Sequence, residues 1–496
     1  MYGLLFFAFI LPLLSSPMIY LAGKRSVKIS AAILSIVSLL VLSFFLFVVP
    51  KVSYEGKYVE SYSWISNINS SLTLFVDGVS LPIVIVTMLL FTSAVLFSVD
   101  YMRGGHALPG YYTLLTLLMI GLIGFFITSD LLVFYFCLEF MLLPTFFIIG
   151  EWGYRNSYRT ALKFFLFTHA GVIPILLGIG CIFMLTGTFD MFQARSILAH
   201  SPQSLLVWIL LAFTLGFIVK MGIVPVHMWL PDAYAEAPAP ISALLSGIIT
   251  EAGAYGMLRI PFSIILPSIT NLQIHSEFLY VLSILGVTSA FYGAIVALAQ
   301  NDLKRIAAYS SISHMGYILY GLSLFPIAEG MVGTIFHMIT HGVSKGLLFL
   351  TAGAIMRRTN TRNIGMMGGL ASMMPLTAIS TAISCFSIAG IPAFACFISE
   401  FLILLGGFED GAINSFYYGT TSLMIVITVI SAAYVLRLFG KVFFGSPKIQ
   451  GIREASIMMA VSMLLLSIST VILGVWPGPI VKLINTAIKM EIINIC

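Results

Sequence analysis

Glu139, Lys220, Lys345 and Glu400 each lie inside an apolar run long enough to cross a bilayer. A charge at the centre of a membrane helix costs about 2.5–3.5 kcal/mol on insertion scales, so such a group persists only where it meets a partner, water or an ion path. Movement of protons or ions is the chemistry these residue types share. Glu139 sits near the middle of the Leu131–Pro144 run, and Lys220 directly precedes a helix-breaking Met-Gly-Ile-Val-Pro stretch. An acid facing a lysine works as a proton switch, because joining or separating the pair changes the proton affinity of each. A Glu139–Lys220 pair is the expectation, one that spacing alone does not establish.

His337, His341 and Lys345 recur every four residues and therefore share one helix face. Histidine titrates near neutral pH and passes protons through either ring nitrogen. The i, i+4 histidines are also metal-ligand spacing, but Lys345 on the same face repels a dication and no HExxH occurs, so no metal site is assigned. His314 in the preceding span adds a relay station, and Glu400, eight residues past Pro392, ends the series of polar groups toward the outer or lateral side. His169 fits relay or packing equally, whereas His106, His200 and His275 read as solvated loop residues. The cysteines, Cys137, Cys181, Cys385, Cys396 and Cys496, show no CxxC pairing and read as small apolar side chains.

The elements that position these groups must be membrane helices. The chain has 496 residues, 59% of them hydrophobic and 9% charged, and a mean hydropathy of +1.06, which excludes a soluble domain. The first apolar run lacks a basic leader and a small-x-small cleavage site, so it reads as a retained membrane helix. Runs of about 20 apolar residues each span roughly 30 Å of hydrocarbon. They fall near 3–23, 29–50, 78–98, 111–129, 131–149, 160–185, 205–225, 237–262, 277–299, 302–324, 329–356, 372–407, 413–438 and 456–480. With no alternating strand pattern, the expected fold is all-α, a polytopic bundle of about 14 transmembrane helices. Sixteen Lys and Arg fall in the loops after odd-numbered spans and six on the other side, which puts both termini on the outer face. No basic stripe with interleaved aromatics argues for nucleic acid, and no glycine-rich phosphate loop argues for a nucleotide. Any redox cofactor belongs to other subunits.

The seventh span is interrupted at Lys220-Met-Gly-Ile-Val-Pro225 and the twelfth at Ala389-Gly-Ile-Pro392. Paired broken helices in two halves of a transporter mark ion sites and imply inverted repeats. The expected segments are 1–110 (spans 1–3), 111–262 (first repeat, spans 4–8), 277–440 (second, inverted repeat, spans 9–13) and 441–496 (span 14 and tail).

Lys220-Met-Gly-Ile-Val-Pro-Val-His-Met-Trp-Leu-Pro-Asp-Ala-Tyr-Ala-Glu-Ala-Pro238 and Gln300-Asn-Asp-Leu-Lys-Arg-Ile-Ala-Ala-Tyr-Ser-Ser-Ile-Ser-His-Met-Gly316 resemble the antiporter-like membrane subunits of NADH:quinone oxidoreductase, respiratory complex I. Length, span count and Met367-Gly-Gly-Leu370 are most similar to its chain 4, or subunit M, branch, over residues 70–440. The resemblance implies fourteen helices with two inverted five-helix repeats, and a central polar axis that moves protons while electrons are transferred elsewhere in the complex. It implies a pump subunit without cofactors of its own, with iron-sulfur clusters and flavin in partner subunits. The implied partners are other antiporter-like subunits, a peripheral redox arm and lipid. Carried over by motif, Glu139 resembles the acid of helix five, Lys220 the lysine of broken helix seven, His314 and His341 the central histidines, and Glu400 the terminal acid of helix twelve.

One position departs from that pattern. Glu251, in Gly247-Ile-Ile-Thr-Glu-Ala-Gly-Ala-Tyr-Gly256, stands where the chain 4 branch carries a lysine, and Lys345 in His341-Gly-Val-Ser-Lys-Gly-Leu-Leu-Phe349 resembles the lysine of the sister subunits. The expectation is that Lys345 compensates for Glu251. Related subunits occur in membrane-bound hydrogenases, formate hydrogenlyases, archaeal F(420)-linked dehydrogenases and multisubunit Na+/H+ antiporters, so a subunit of a multisubunit Na+/H+ antiporter or of a membrane-bound hydrogenase is the alternative. A prokaryotic cell membrane is the expected location and the mitochondrial inner membrane the second. A bundle that only anchors is disfavoured, since buried ion pairs stabilise poorly compared with apolar side chains.

Overall fold

The computed structural model describes residues 3–65 and 70–489; Cys496 lies outside them, as does the tail beyond residue 489. Hydrocarbon offers no hydrogen bonds, so each apolar run satisfies its backbone as helix. The helices are Leu4–Arg25 (α1), Val27–Glu55 (α2), Ser80–Tyr101 (α3), Leu108–Ile127 (α4), Leu131–Trp152 (α5), Ser157–Thr186 (α6), Met191–Leu198 (α7), Gln203–Met221 (α8), Leu230–Glu236 (α9) and Ala239–Leu244 (α10). They continue as Thr250–Met257 (α11), Leu272–Ala299 (α12), Leu303–Leu322 (α13), Ala328–Thr359 (α14), Pro375–Ile388 (α15), Ala395–Ile413 (α16), Phe416–Phe443 (α17), Ile457–Val475 (α18) and Gly478–Ile488 (α19).

Among the described residues, twelve helical spans are long and apolar enough to cross a membrane, counting Gln203–Glu236 and Ala239–Ser268 as one each. The tenth and twelfth expected spans complete the set. The tenth is α13, whose Ser, Tyr and His residues lower its hydropathy; the twelfth is the broken pair α15 and α16. The fold is a polytopic all-α membrane bundle. At its centre stand α14 and the Ala239–Ser268 span, whose apolar windows are wholly buried.

Three expectations need correction. Lys57–Ile65 (β1) and Ser70–Asp77 (β2) pair antiparallel as a hairpin between α2 and α3. β1 alternates, with Tyr58 and Glu60 pointing inward, but the segment is too polar to stand out among the apolar spans. Arg259 and Lys304, assigned to loops in the charge count, are both buried. The eighth span runs on through a π-helical stretch, Leu258–Ile265, to Ser268 and so carries Arg259 inside. His275 lies in the first turn of α12, with Nε2 2.7 Å from Ile269 O, and not in a loop.

The hairpin is tied down by charge. Arg259 Nη2 donates to both oxygens of Asp77, at 2.5 and 2.6 Å, and its guanidinium lies 5.2 Å from the Phe75 ring and 5.2 Å from the Tyr255 ring. Asp77 also accepts from the backbone of Val79 and Ser80, which starts α3.

The two halves share a local signature. Leu131 N donates to Phe189 O and Met191 N to Ser129 O, at 2.8 and 2.9 Å; Leu303 N donates to Arg362 O and Ile364 N to Asn301 O, at 2.8 and 2.9 Å. In each case the residue before the helix, Asp130 or Asp302, caps it with its carboxylate. The fifth and sixth spans are thus clasped as the tenth and eleventh are.

Removing one partner of a buried ion pair strands the other charge, at about 3–5 kcal/mol. Asp77→Ala should therefore lower the thermal midpoint of the purified protein sharply, and Asp77→Leu combined with Arg259→Met should recover much of the loss. An Asp77→Ala midpoint equal to the parent's would show that the pair does not hold the hairpin.

Candidate functional site

The two helix breaks are built alike. At the end of α8, Gly222 has φ +70°, and its N–H reaches Val219 O while Ile223 N–H reaches Ile218 O. At the end of α15, Gly390 has φ +65°, its N–H reaches Ser387 O, and Ile391 N–H reaches Phe386 O. Both are Schellman caps, a closure that favours glycine in the left-handed position. Groups freed at the breaks find partners inside the bundle: Trp229 Nε1 donates to Val219 O at 3.0 Å, Val224 N to Ser289 Oγ at 3.0 Å, and Cys396 N to Ser387 Oγ at 3.2 Å. Ten residues beyond each glycine stands an acid, Asp232 and Glu400. Asp232 receives Lys163 and Arg305, each at 2.8 Å. Glu400 lies across Gly390, where a Cβ would approach its Oε2 to 2.7 Å.

Six of the eight candidate residues gather around α14. His341 Nδ1 lies 2.5 Å from Glu251 Oε1, joining α14 to α11. His314 of α13 stacks against His341 and His337, with ring centroids 5.1 and 5.3 Å apart, and its Nδ1 is 3.1 Å from His337 Nε2. Glu400 Oε1 is 3.8 Å from His314 Nδ1. Lys345 Nζ hydrogen-bonds Ser310 Oγ on α13. All six side chains are buried.

Hydrogen bonds set the direction of this chain. Ser399 Oγ lies 2.9 Å from Cys396 O and 2.8 Å from His337 Nδ1; when its one proton goes to the carbonyl, it accepts from His337 Nδ1. His337 Nε2 is then the acceptor that faces His314. Thr340 Oγ1 braces the same serine at 2.9 Å. His314 Nε2, His341 Nε2 and Glu251 Oε2 have no hydrogen-bond partner within the protein. His314, His337 and Glu400 also offer ligand atoms within 4.8 Å of one another. The atoms that converge are therefore not those of the i, i+4 pair His337 and His341.

Glu139 and Lys220 stand apart from the stack. Lys220 Nζ is buried without a hydrogen bond, and the Cβ and Cγ methylenes of Lys220 lie over Gly253, two residues from Glu251 on α11, where an added Cβ would approach them to 3.1 and 3.0 Å. The expected Glu139–Lys220 contact pair does not form: Glu139 Oε1 lies 3.6 Å from His169 Nδ1 on α6 instead. His169 is thereby aligned with the acid. Nor do Glu251 and Lys345 touch; His341, one turn before Lys345 on α14, stands between their functions.

Several residues of the site had no separate sequence signal. Ser310 and Ser399 are ordinary serines of apolar helices, and only the packing of α13 and α16 on α14 gives them a role. Lys304 Nζ is buried against Ala237 O at 2.5 Å and lies 5.1 Å from the Tyr154 ring. Tyr154 hydrogen-bonds Tyr101 at the wall of a cavity of about 800 Å³, which Arg103, Arg357, Arg362 and Asp302 also line. A lysine beside a capping aspartate had the look of a loop residue.

Residues 128–431 match the family described as NADH:quinone oxidoreductase/Mrp antiporter, transmembrane. The chain belongs to this family. It is 33% identical over 439 residues to the NADH-quinone oxidoreductase subunit M of Rickettsia conorii, covering 87% of this chain and 85% of that one. It is 32% identical over 441 residues to the F(420)H(2) dehydrogenase subunit M of Methanosarcina mazei, covering 86% and 85%. A chain of respiratory complex I from Thermus thermophilus with bound NADH superposes with a TM-score of 0.84 at 25% identity, covering 98% of this chain and 99% of that one. As a member of this family with twelve apolar helical spans among the described residues, the chain is an integral multi-pass membrane protein.

Gly390→Ala places a methyl against the Glu400 carboxylate and forces a left-handed residue, a change that costs about 1 kcal/mol or more. It should lower the thermal midpoint, whereas Gly440→Ala in α17, where a Cβ meets nothing within 4 Å, should leave it level or raise it. Equal midpoints for Gly390→Ala and the parent would show that the break tolerates a side chain.

Proposed function

We propose that this chain is a proton-translocating, non-redox membrane-arm subunit of a complex I-type quinone oxidoreductase or an analogous carrier-linked complex. The observation that carries the reading is the buried series from Glu251 through His341, His314 and His337 to Glu400, which joins the eighth, tenth, eleventh and twelfth spans inside the bundle. A file of titratable groups without apolar interruption is what proton movement needs and what a passive anchor has no use for. Lys220 and Lys345 serve as switchable bases, Glu139 tunes Lys220 from the flank, and His337 and Glu400 carry protons past the break at Gly390.

The redox chemistry belongs to partners. Flavin and iron-sulfur clusters sit in a peripheral arm, and other antiporter-like subunits flank this one in the membrane. The names of the Rickettsia and Methanosarcina relatives support such a setting. Residues 111–262 and 277–440 form the two inverted repeats, a division supported by the matching clasps at Asp130 and Asp302 and the matching caps at Gly222 and Gly390. The charge bias of the loops supports both termini on the outer face of a prokaryotic cell membrane.

A Na+/H+ antiport reading shares the same groups and is favoured by one feature, a carboxylate held against the opened backbone of a broken helix at Glu400 and Gly390. Electron transfer and ion pumping measured together in reconstituted vesicles, with a pH-sensitive dye and Na+-free buffer, separate the two. The intact complex should acidify the lumen, and Lys220→Ala should lower pumping about 10²-fold, the scale of losing a positioned proton-transfer group. Pumping that requires Na+ would establish antiport instead, and a Lys220→Ala complex that pumps like the parent would remove Lys220 from the path. In the same vesicles Lys345→Ala should also abolish pumping; normal pumping would refute the compensation of Glu251 by Lys345.

A further inference from the structure

We propose that His314, His337 and Glu400 form a binding site for a divalent transition metal of the zinc type, and that occupancy of this site blocks the polar axis. The ligand atoms are His314 Nδ1, His337 Nε2 and Glu400 Oε1. Zinc bonds of about 2.0–2.1 Å arranged tetrahedrally set neighbouring ligand atoms about 3.3–3.4 Å apart. Here the nitrogens are 3.1 Å apart and His314 Nδ1 is 3.8 Å from Glu400 Oε1. The third pair, His337 Nε2 and Glu400 Oε1, lies within 4.8 Å, so turning the Glu400 carboxylate toward the histidines brings the three onto one ion, with water in the fourth position.

The surroundings have the form of a metal-ligand support. A ligating histidine ordinarily donates its other N–H to a fixed acceptor, which holds the tautomer and the ring. His337 does so through Nδ1 to Ser399 Oγ at 2.8 Å, itself braced by Thr340. His314 Nε2 has no protein partner, so its proton can move there and leave Nδ1 free to ligate without a net change in charge. Glu400 is kept at the site by the absence of a side chain at Gly390.

Charge, the objection raised by the His337–His341 spacing, is met by the full cluster. Lys345 is turned to Ser310, and two buried carboxylates, Glu251 and Glu400, stand against that one lysine. The two carboxylates thus outnumber the one ammonium group of the cluster. Pro392 and Ala393, at the break that follows Gly390, are exposed. Cys385 and Cys396 are also buried nearby, on α15 and α16, so the chemistry of the shell is itself diagnostic.

The blocking effect rests on the translocation reading, because the metal takes the lone pairs that would pass protons; the binding does not. The test uses the intact purified complex, stripped with EDTA and equilibrated with Zn2+, with bound zinc counted by elemental mass spectrometry and its shell read by X-ray absorption. The parent should hold one zinc more than His337→Ala or Glu400→Ala complexes, with nitrogen and oxygen ligands only. Ser399→Ala keeps the ligands but loses the orienting acceptor and should weaken that zinc about 10–100-fold. His106→Ala, at an exposed His–Glu contact, should change nothing. Equal zinc in parent and ligand variants, or a sulfur ligand on the zinc that differs, would overturn the site. Lys220→Ala should bind zinc like the parent whatever it does to pumping. Zinc held by the predicted ligands with pumping unaltered would confirm the site and overturn the axis as the proton path.

Discussion

An acid buried at mid-membrane must be answered by another polar group, and in this protein the answer to Glu251 is His341 at 2.5 Å. A lone carboxylate moved into low dielectric loses several kcal/mol of solvation. The contact obliges the eleventh span to lie against the eighth, and these are the two spans whose apolar windows are wholly enclosed. Once α14 is fixed there, its histidine face meets His314 on α13. The rings stack, and the polar core becomes continuous across helices that would otherwise pack only through methyl groups and glycine notches.

The breaks extend this logic to the backbone. A helix opened in hydrocarbon exposes carbonyls and amides that must find partners within the protein, and each of the two openings is closed by the same pair of hydrogen bonds around a left-handed glycine. The acid ten residues on is then delivered to a different task in each half. Asp232 receives Lys163 and Arg305, whereas Glu400 lies over Gly390 within reach of the histidines. Two copies of one local design thus produce an ion-paired acid in one half and an acid beside histidines in the other, the difference being which neighbours the packing supplies. The same divergence separates Lys220, buried without a hydrogen bond, from Lys345, which rests on a serine.

Much of this was readable from the chain. The Gly-Ile-Val-Pro and Gly-Ile-Pro stretches announced both breaks, and four-residue spacing put His337, His341 and Lys345 on one face. The expected Glu139–Lys220 contact was not found, because α5 turns Glu139 toward His169 at the bundle flank, a rotation no spacing encodes. The β-hairpin and the burial of Arg259 and Lys304 were missed for a related reason. Charged residues near span ends look like loop residues until a partner such as Asp77 or a backbone carbonyl is folded against them.

By itself the sequence determined what each segment does alone: roughly twenty apolar residues become a helix because hydrocarbon leaves the backbone no other partner, and glycine with proline interrupts it. It also determined which side chains share a face, since that follows from helical periodicity. Only the tertiary structure decided which groups meet. Glu251 and His341 are 90 residues apart, His337 and Ser399 62, and His314 and His337 23. Proton transfer and metal ligation depend on ångström distances between side chains on different helices, and those distances come from the packing of whole spans.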